Sequence, residues 1–179
     1  MDKSIKLALE NGEMLPLMEA FYSIQGEGFF AGTAAYFLRI GGCDVGCHWC
    51  DVKESWDSTL HPPTLVTDIL EDIKKYNVDT VVITGGEPLM WNLDNLTNLL
   101  KANNYKTHLE TSGTHPLSGS FDWICFSPKK MQSPINDIKL FASELKVIVS
   151  NKHDLIWAKE QFLFHHQTHL QFLLVKVSN

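Results

Sequence analysis

No apolar run in this chain approaches the roughly 18–20 residues needed to cross a bilayer. It has no excess of basic charge either: 15 Lys and Arg stand against 21 Asp and Glu, a net charge of -6. A general binder of nucleic acid or anionic membrane is excluded, because neutralising phosphates takes clustered Lys and Arg. The opening stretch, Met1 to Glu13, is mixed and charged and does not resemble a signal peptide. The expectation is a cytoplasmic protein whose thiols stay reduced, which disfavours a disulfide framework. Internal repeats, low-complexity tracts and linkers are missing too, so residues 1–179 read as one domain. What the chain does have is apolar content, at 44% with 5 Trp and 10 Phe, enough to bury one core.

Three of the 4 cysteines fall together as Gly41-Gly42-Cys43-Asp44-Val45-Gly46-Cys47-His48-Trp49-Cys50-Asp51. Cubane iron–sulfur clusters usually take four cysteines, so a three-cysteine array leaves one iron open to a ligand. Other readings are a zinc site with His48 as fourth ligand, a disulfide, or buried free thiols. The spacing favours the cluster over zinc, because zinc sites usually pair cysteines and add a second distant pair.

Apolar, β-rich stretches alternate with segments of helical period, which predicts βα units and a mostly parallel sheet. Strands are expected at Ala34–Ile40, Thr80–Thr84, Thr107–Thr111, Asp122–Ser127, Glu144–Val149 and His169–Val177, with a further one in Leu15–Ile24. Thr64 or Thr67 is placed to cap a helix burying Leu65, Ile69 and Ile73. Leu93, Leu96, Leu99 and Leu100 mark one face of a second helix, and a third is expected from about Asp154 to Phe164. Ligands of parallel α/β proteins collect at the carboxyl ends of strands. The unusual residues do the same here, since the cysteine loop, Thr84-Gly85-Gly86-Glu87-Pro88, Glu110-Thr111-Ser112-Gly113 and Ser127-Pro128-Lys129 each follow a predicted strand.

Taken alone, Gly85-Gly86-Glu87-Pro88 is a tight turn into a helix. With the cysteine loop upstream, it is also a place where a ligand can approach the backbone and Glu87 can accept from a cationic amine. Arg39 sits inside an apolar strand, where an arginine is seldom buried unpaired. Either an internal carboxylate neutralises it, or its donor fork meets the carboxylate of a substrate. Cys125, within the apolar Phe121–Phe126, reads as packing, and His165, His166 and His169 as solvated imidazoles at a helix end.

The cysteine loop, with aromatic Trp49 before its third cysteine, and the GGE turn resemble the radical S-adenosylmethionine superfamily. Within it, Tyr22-Ser23-Ile24-Gln25-Gly26-Glu27-Gly28, Phe37-Leu38-Arg39, Gly42-Cys43, Cys50-Asp51, Thr84-Gly85-Gly86-Glu87-Pro88, Leu109-Glu110-Thr111-Ser112-Gly113, Ser127-Pro128-Lys129 and Leu145-Lys146-Val147 resemble the 7-carboxy-7-deazaguanine synthase family over roughly residues 15 to 169. The resemblance implies an α/β fold, an incomplete TIM-like barrel of about six βα units, shortened at the C-terminus. It implies a radical ring contraction of 6-carboxy-5,6,7,8-tetrahydropterin to 7-carboxy-7-deazaguanine with loss of ammonia, toward the tRNA base queuosine. Cys43, Cys47 and Cys50 would hold a 4Fe–4S cluster whose open iron takes the methionine end of S-adenosylmethionine. Trp49, Cys50, Asp51, Gly86, Glu87, Ser127, Pro128 and Lys129 would position that cofactor. Ile24, Gln25, Gly26, Arg39 and Thr84 would line the pterin site, with Glu110 and Arg39 in catalytic roles and Ser112 beside them. A homodimer and a flavodoxin-like electron donor are implied as partners.

Two departures from the family pattern stand out. Where family members commonly carry a Thr or Ser that helps bind Mg2+, this chain has Val52, which offers no ligand atom. After the last strand, family members continue through a Gln-Pro loop and a substrate-contacting tail, whereas this chain reads Leu170-Gln171-Phe172-Leu173-Leu174-Val175-Lys176-Val177-Ser178-Asn179. Part of the pocket is then expected to be missing, with an apolar edge strand left to pair or aggregate. The rival readings are another radical enzyme, such as a glycyl-radical-activating protein, and an inactive iron–sulfur or zinc-binding remnant.

Overall fold

Runs of Val, Ile, Leu and Phe without polar alternation make strands that are buried on both faces, and these runs form the centre of the sheet. In the computed structural model, which describes residues 2–135, 137–163 and 171–176, the strands are β1 (Met14–Ile24), β2 (Ala34–Ile40), β3 (Pro63–Leu65), β4 (Thr80–Gly85), β5 (Lys106–Thr111), β6 (Trp123–Phe126), β7 (Glu144–Val149) and β8 (Gln171–Lys176). They join in one sheet of order β3-β1-β2-β4-β5-β6-β7-β8. From β2 to β8 every neighbouring pair is parallel, while β1 runs antiparallel to both β2 and β3. Among the described residues β3 and β8 stay unjoined, so the six parallel strands that the βα pattern predicts form the open, incomplete barrel that the family resemblance implies.

The helices are α1 (Lys3–Glu10), α2 (Val66–Ile73), α3 (Asp94–Ala102), α4 (Ile138–Phe141) and α5 (Lys152–Leu163). In α3, Leu96 and Leu100 are fully buried under the sheet and Leu99 partly so, which is the stripe the leucine spacing predicts. Helix α2 corrects the sequence reading. Its N-cap is Leu65 with no side-chain cap, because Pro63–Leu65 is drawn into extended pairing with Met14–Pro16. The Thr64 hydroxyl donates to the Pro62 carbonyl instead. Leu65 is therefore exposed, and the buried stripe is Val66, Ile69, Leu70 and Ile73. Helix α1 escaped the periodicity argument because it buries only Leu9; Asp2 caps it by accepting from the Ser4 N–H. Phe164 and the histidines at 165, 166 and 169 lie outside the described residues, as do Leu170 and residues 177–179. Among the described residues no helix is long and apolar enough to cross a membrane.

Candidate active site

The loop after β2 is set by backbone bonds to two separate segments and by one indole from a third. Gly41 N–H donates to Pro16 O at 2.7 Å, Gly42 N–H to Ser55 O at 2.6 Å and Cys43 N–H to Trp56 O at 3.2 Å, while the Trp91 indole donates to Gly41 O at 2.8 Å. Asp44, inside the loop, meets His115 Nε2 at 3.0 Å. The loop then tightens, with Cys50 N–H on Cys47 O at 3.0 Å. The result is that Cys43, Cys47 and Cys50 all face one cavity of about 570 Å³.

The three thiols share this cavity with the Asp51 and Glu87 carboxylates. His48 lines a neighbouring cavity rather than this one. A single zinc ion needs its ligands about 2.0–2.3 Å away around one point, and among the described residues no three His, Cys, Asp or Glu side chains are so gathered. Thiols spread along one cavity wall fit a polynuclear iron–sulfur group better than mononuclear zinc. Burial raises the Cys43 thiol, and Glu87 and the other two cysteines add to that. Cys47 is raised by burial as well, with Lys129 pulling the other way. A bound metal reverses this by taking the deprotonated sulfur.

The turn after β4 packs directly on this loop: Gly86 N–H donates to Ile40 O and Glu87 N–H to Gly42 O, at 3.0 and 2.8 Å. Glu87 is 1% exposed. One carboxylate oxygen accepts from Thr111 Oγ1 and Leu89 N–H, the other from Ser112 N–H and Oγ. Those four donors fill the carboxylate's usual lone-pair sites. Glu87 is thus a fixed negative charge on the cavity wall, and it bears on a cationic amine through charge rather than as the free acceptor the sequence reading made it. Thr111 and Ser112 hold it there.

The same cavity is lined by Ile24, Gln25, Gly26, Arg39, Thr84 and Glu110, so all the residues expected at a pterin site come together. Arg39 has a carboxylate partner, its Nε pairing with the half-exposed Glu19 Oε2 at 3.0 Å, and it also lines the cavity. Glu110 accepts from Gln25 Nε2 at 3.2 Å and Lys146 Nζ at 3.0 Å. Asp51, Ser112, Ser127 and Gly86 are on the same wall system. Pro128 is not; it lines the second cavity, of about 280 Å³, with His48, Met131 and Trp157. Trp49 and Lys129 border both cavities, the ammonium lying 5.9 Å from the indole ring. Lys129 Nζ donates to Ser127 O and Oγ, and burial, reinforced by the Lys146 charge, pushes its pKa down to about 8. Cys125 stays in the core as expected, with burial driving its thiol far up.

Sequence reasoning gave no role to Lys146, Glu27, Glu144 or the Asp44–His115 pair. Lys146 carried a usable signal, because a lysine between Leu145 and Val147 in an apolar strand calls for a buried partner just as Arg39 does.

The radical SAM superfamily model matches residues 38–125. A 7-carboxy-7-deazaguanine synthase of Flavobacterium psychrophilum is 60% identical over 159 residues, spanning 89% of this chain and 75% of that protein. The synthase of the same name from a Synechocystis species is 49% identical over 144 residues, 80% of this chain and 69% of that one. The crystal structure of QueE from Escherichia coli superposes with a TM-score of 0.86 at 30% identity, covering 99% of this chain and 90% of that one.

Proposed function

The chain belongs to the 7-carboxy-7-deazaguanine synthase family of the radical S-adenosylmethionine superfamily, and from that premise we propose that it converts 6-carboxy-5,6,7,8-tetrahydropterin to 7-carboxy-7-deazaguanine. The reaction is a carbon–nitrogen lyase step that removes the elements of ammonia and contributes to queuosine biosynthesis. The observation that carries this reading is the single cavity joining Cys43, Cys47 and Cys50 to Gln25, Arg39, Thr84 and Glu110. Cys43, Cys47 and Cys50 would hold a 4Fe–4S cluster, which, when bound with S-adenosylmethionine and reduced by one electron, supplies a 5′-deoxyadenosyl radical.

The chain's own residues supply placement. Glu87 presents a fixed negative charge for the cofactor's amine. Trp49 and Lys129 border the second cavity and, with Ser127 and Pro128, form the wall for its nucleoside end. Arg39 keeps guanidinium N–H groups beyond the Nε used on Glu19 and offers them to the substrate carboxylate. Glu110, ionised and aimed into the cavity, is the group for proton movement at the ring. Gln25 and Thr84 fix the ring's orientation by hydrogen bonds.

Mg2+ does not fit as a protein-held ion here. Val52 offers no ligand atom and does not line the cavity, and among the described residues no three-ligand group is gathered. Asp51, next to Val52 in the chain, lines the cavity, and water and substrate would have to supply the remaining oxygens of any such ion; turnover unaltered by chelation would show that the ion is dispensable. The electron would come from a flavodoxin-like donor in the cytoplasm, and the expected assembly is a homodimer, tested by size-exclusion chromatography.

The test is an anaerobic assay of iron- and sulfide-reconstituted protein with reductant, S-adenosylmethionine and the carboxytetrahydropterin, reading product by mass spectrometry. Product that is lost in Cys47→Ala supports the proposal. No product from protein with a confirmed cluster refutes it.

A further inference from the structure

Strand β7 puts a half-buried cation, Lys146, and a buried anion, Glu144, two residues apart on one face. The loop between β1 and β2 carries a counterpart for each. Glu27 Oε2 lies 3.2 Å from Lys146 Nζ, and the Phe29 N–H donates to Glu144 Oε2 at 3.2 Å. Between them Gly28, at φ +74°, sits so close that a β-carbon would stand 2.2 Å from Glu144 Oε1. The same Lys146 Nζ reaches Glu110 Oε2 at 3.0 Å, and the loop's Gln25 Nε2 reaches the other oxygen, Oε1, at 3.2 Å. One ammonium therefore joins the loop, the barrel interior and the carboxylate at the cavity.

Resting on the proposed ring contraction, we infer that Lys146 is a positioning residue that docks the Gln25–Gly28 loop over the cavity and fixes the Glu110 carboxylate toward the substrate. The lysine side chain is 16% exposed and Glu110's is 23%, so water does little to replace the contact. Held at both oxygens, Glu110 has one orientation, and Gln25 and Gly26 keep their place on the cavity wall.

The charges around Glu110 agree with that geometry. Its own burial would raise the carboxyl, but Lys146 from β7, Gln25 from the loop and Arg39 from β2 together hold it below the ordinary carboxylate range. From β6 it faces Cys125, whose thiol burial keeps neutral; on its own strand is His108, which burial drives toward the neutral form. Lys146 is the nearest full charge, so removing it lets burial dominate.

Three variants test this in reconstituted protein: Lys146→Met, Lys146→Arg and Glu27→Gln. Iron content, pH-dependent kcat and KM for the carboxytetrahydropterin, and chymotrypsin cleavage between Phe29 and Phe30 without substrate are measured for each. Expected for Lys146→Met are retained iron, a KM raised about tenfold or more, an acid limb of kcat shifted up by about one pH unit or more, and faster cleavage at Phe29. Lys146→Arg restores most of each. Glu27→Gln speeds cleavage and raises KM but leaves the acid limb in place, because Glu110 keeps its partner. Wild-type cleavage, KM and acid limb in Lys146→Met, or an acid limb shifted equally by Glu27→Gln, overturn the inference. If Lys146→Met fails to hold iron, Lys146→Arg and Glu27→Gln decide, and a wild-type cleavage rate in Glu27→Gln counts against loop docking. Absence of product from wild type refutes the proposed function instead, and cleavage at Phe29 still reports on the loop.

Discussion

Gly86 meets Gly42 at backbone contact: a β-carbon on Gly86 would stand 2.3 Å from the Gly42 carbonyl oxygen and 2.8 Å from Cys43 Cβ. The turn after β4 and the thiol loop after β2 are therefore set by one shared contact. Gly86→Ala is expected to push the loop outward and move Cys43 away from Cys47 and Cys50. Overpacking of this kind costs about 1–3 kcal/mol, which the fold survives, so the loss should appear as reduced iron per chain in protein that still melts cooperatively. Full iron content in the variant would show that the loop yields without disturbing its thiols.

That contact also marks what the sequence could disclose. Strand β2 matched its expected bounds because an unbroken apolar run has few ways to be buried, and the GGE turn was recognisable because two glycines before Glu-Pro announce close backbone approach. Arg39 was left with two readings, since one-dimensional pattern cannot say that Glu19 lies across from it on an antiparallel neighbour. Leu65 was misplaced for a similar reason, as pairing with β1 overrode its helical spacing. The Asp44–His115 contact spans 71 positions and has no local signature. Glu87's four donors come from the end of β5, the residue after it and Glu87's own turn, and only the assembled barrel shows that its oxygens are already engaged.

Asp44 and His115 tie the cluster loop to the segment after β5, with His115 Nε2 3.0 Å and 3.1 Å from the two carboxylate oxygens. The pair is partly exposed, so it contributes about 0.5–1 kcal/mol at most. His115→Ala should leave the melting temperature almost unaltered yet speed iron loss to a chelator by about two- to fivefold, in line with that energy. An unaltered rate of iron loss would show that the backbone bonds of Gly41, Gly42 and Cys43 hold the loop without help.

Arg39→Ala is expected to retain iron and S-adenosylmethionine binding while raising KM for the carboxytetrahydropterin about ten- to a hundredfold, the range for losing a hydrogen bond to a charged group. The stability cost should be small, because Glu19 is about half exposed and can return to water. Arg39→Lys should recover only part of the affinity, since an ammonium cannot reproduce the planar fork. Steady-state kinetics on the three proteins checks this, and an unaltered KM in Arg39→Ala would confine the arginine to its Glu19 pair.

Glu110 links catalytic placement to stability, and its pH dependence has a definite sign. Its carboxyl is held below the ordinary range: burial opposes this, but Lys146, Gln25 and Arg39 outweigh it. A depressed folded value means the ionised group stabilises the fold fully above the unfolded value of about 4.3 and loses that contribution as pH falls through the folded value. Lys146 runs the other way. Burial would lower it, but Glu110, with help from Glu27, raises it, so its contribution is complete below about pH 10 and lost only at higher pH. Removing one partner of a buried pair costs about 3–5 kcal/mol, and because this pair is 16% and 23% exposed and Glu27 remains beside Lys146, no more than the lower end applies to Glu110→Gln. Thermal melts of the apo protein should therefore show wild type more stable than Glu110→Gln by up to about 3 kcal/mol near pH 7, with the gap narrowing as pH drops below about 4.3. A gap that stays constant from about pH 7 down to about pH 3.5 would mean that Glu110 titrates alike folded and unfolded, and its charge pairing with Lys146 would then contribute nothing to the barrel.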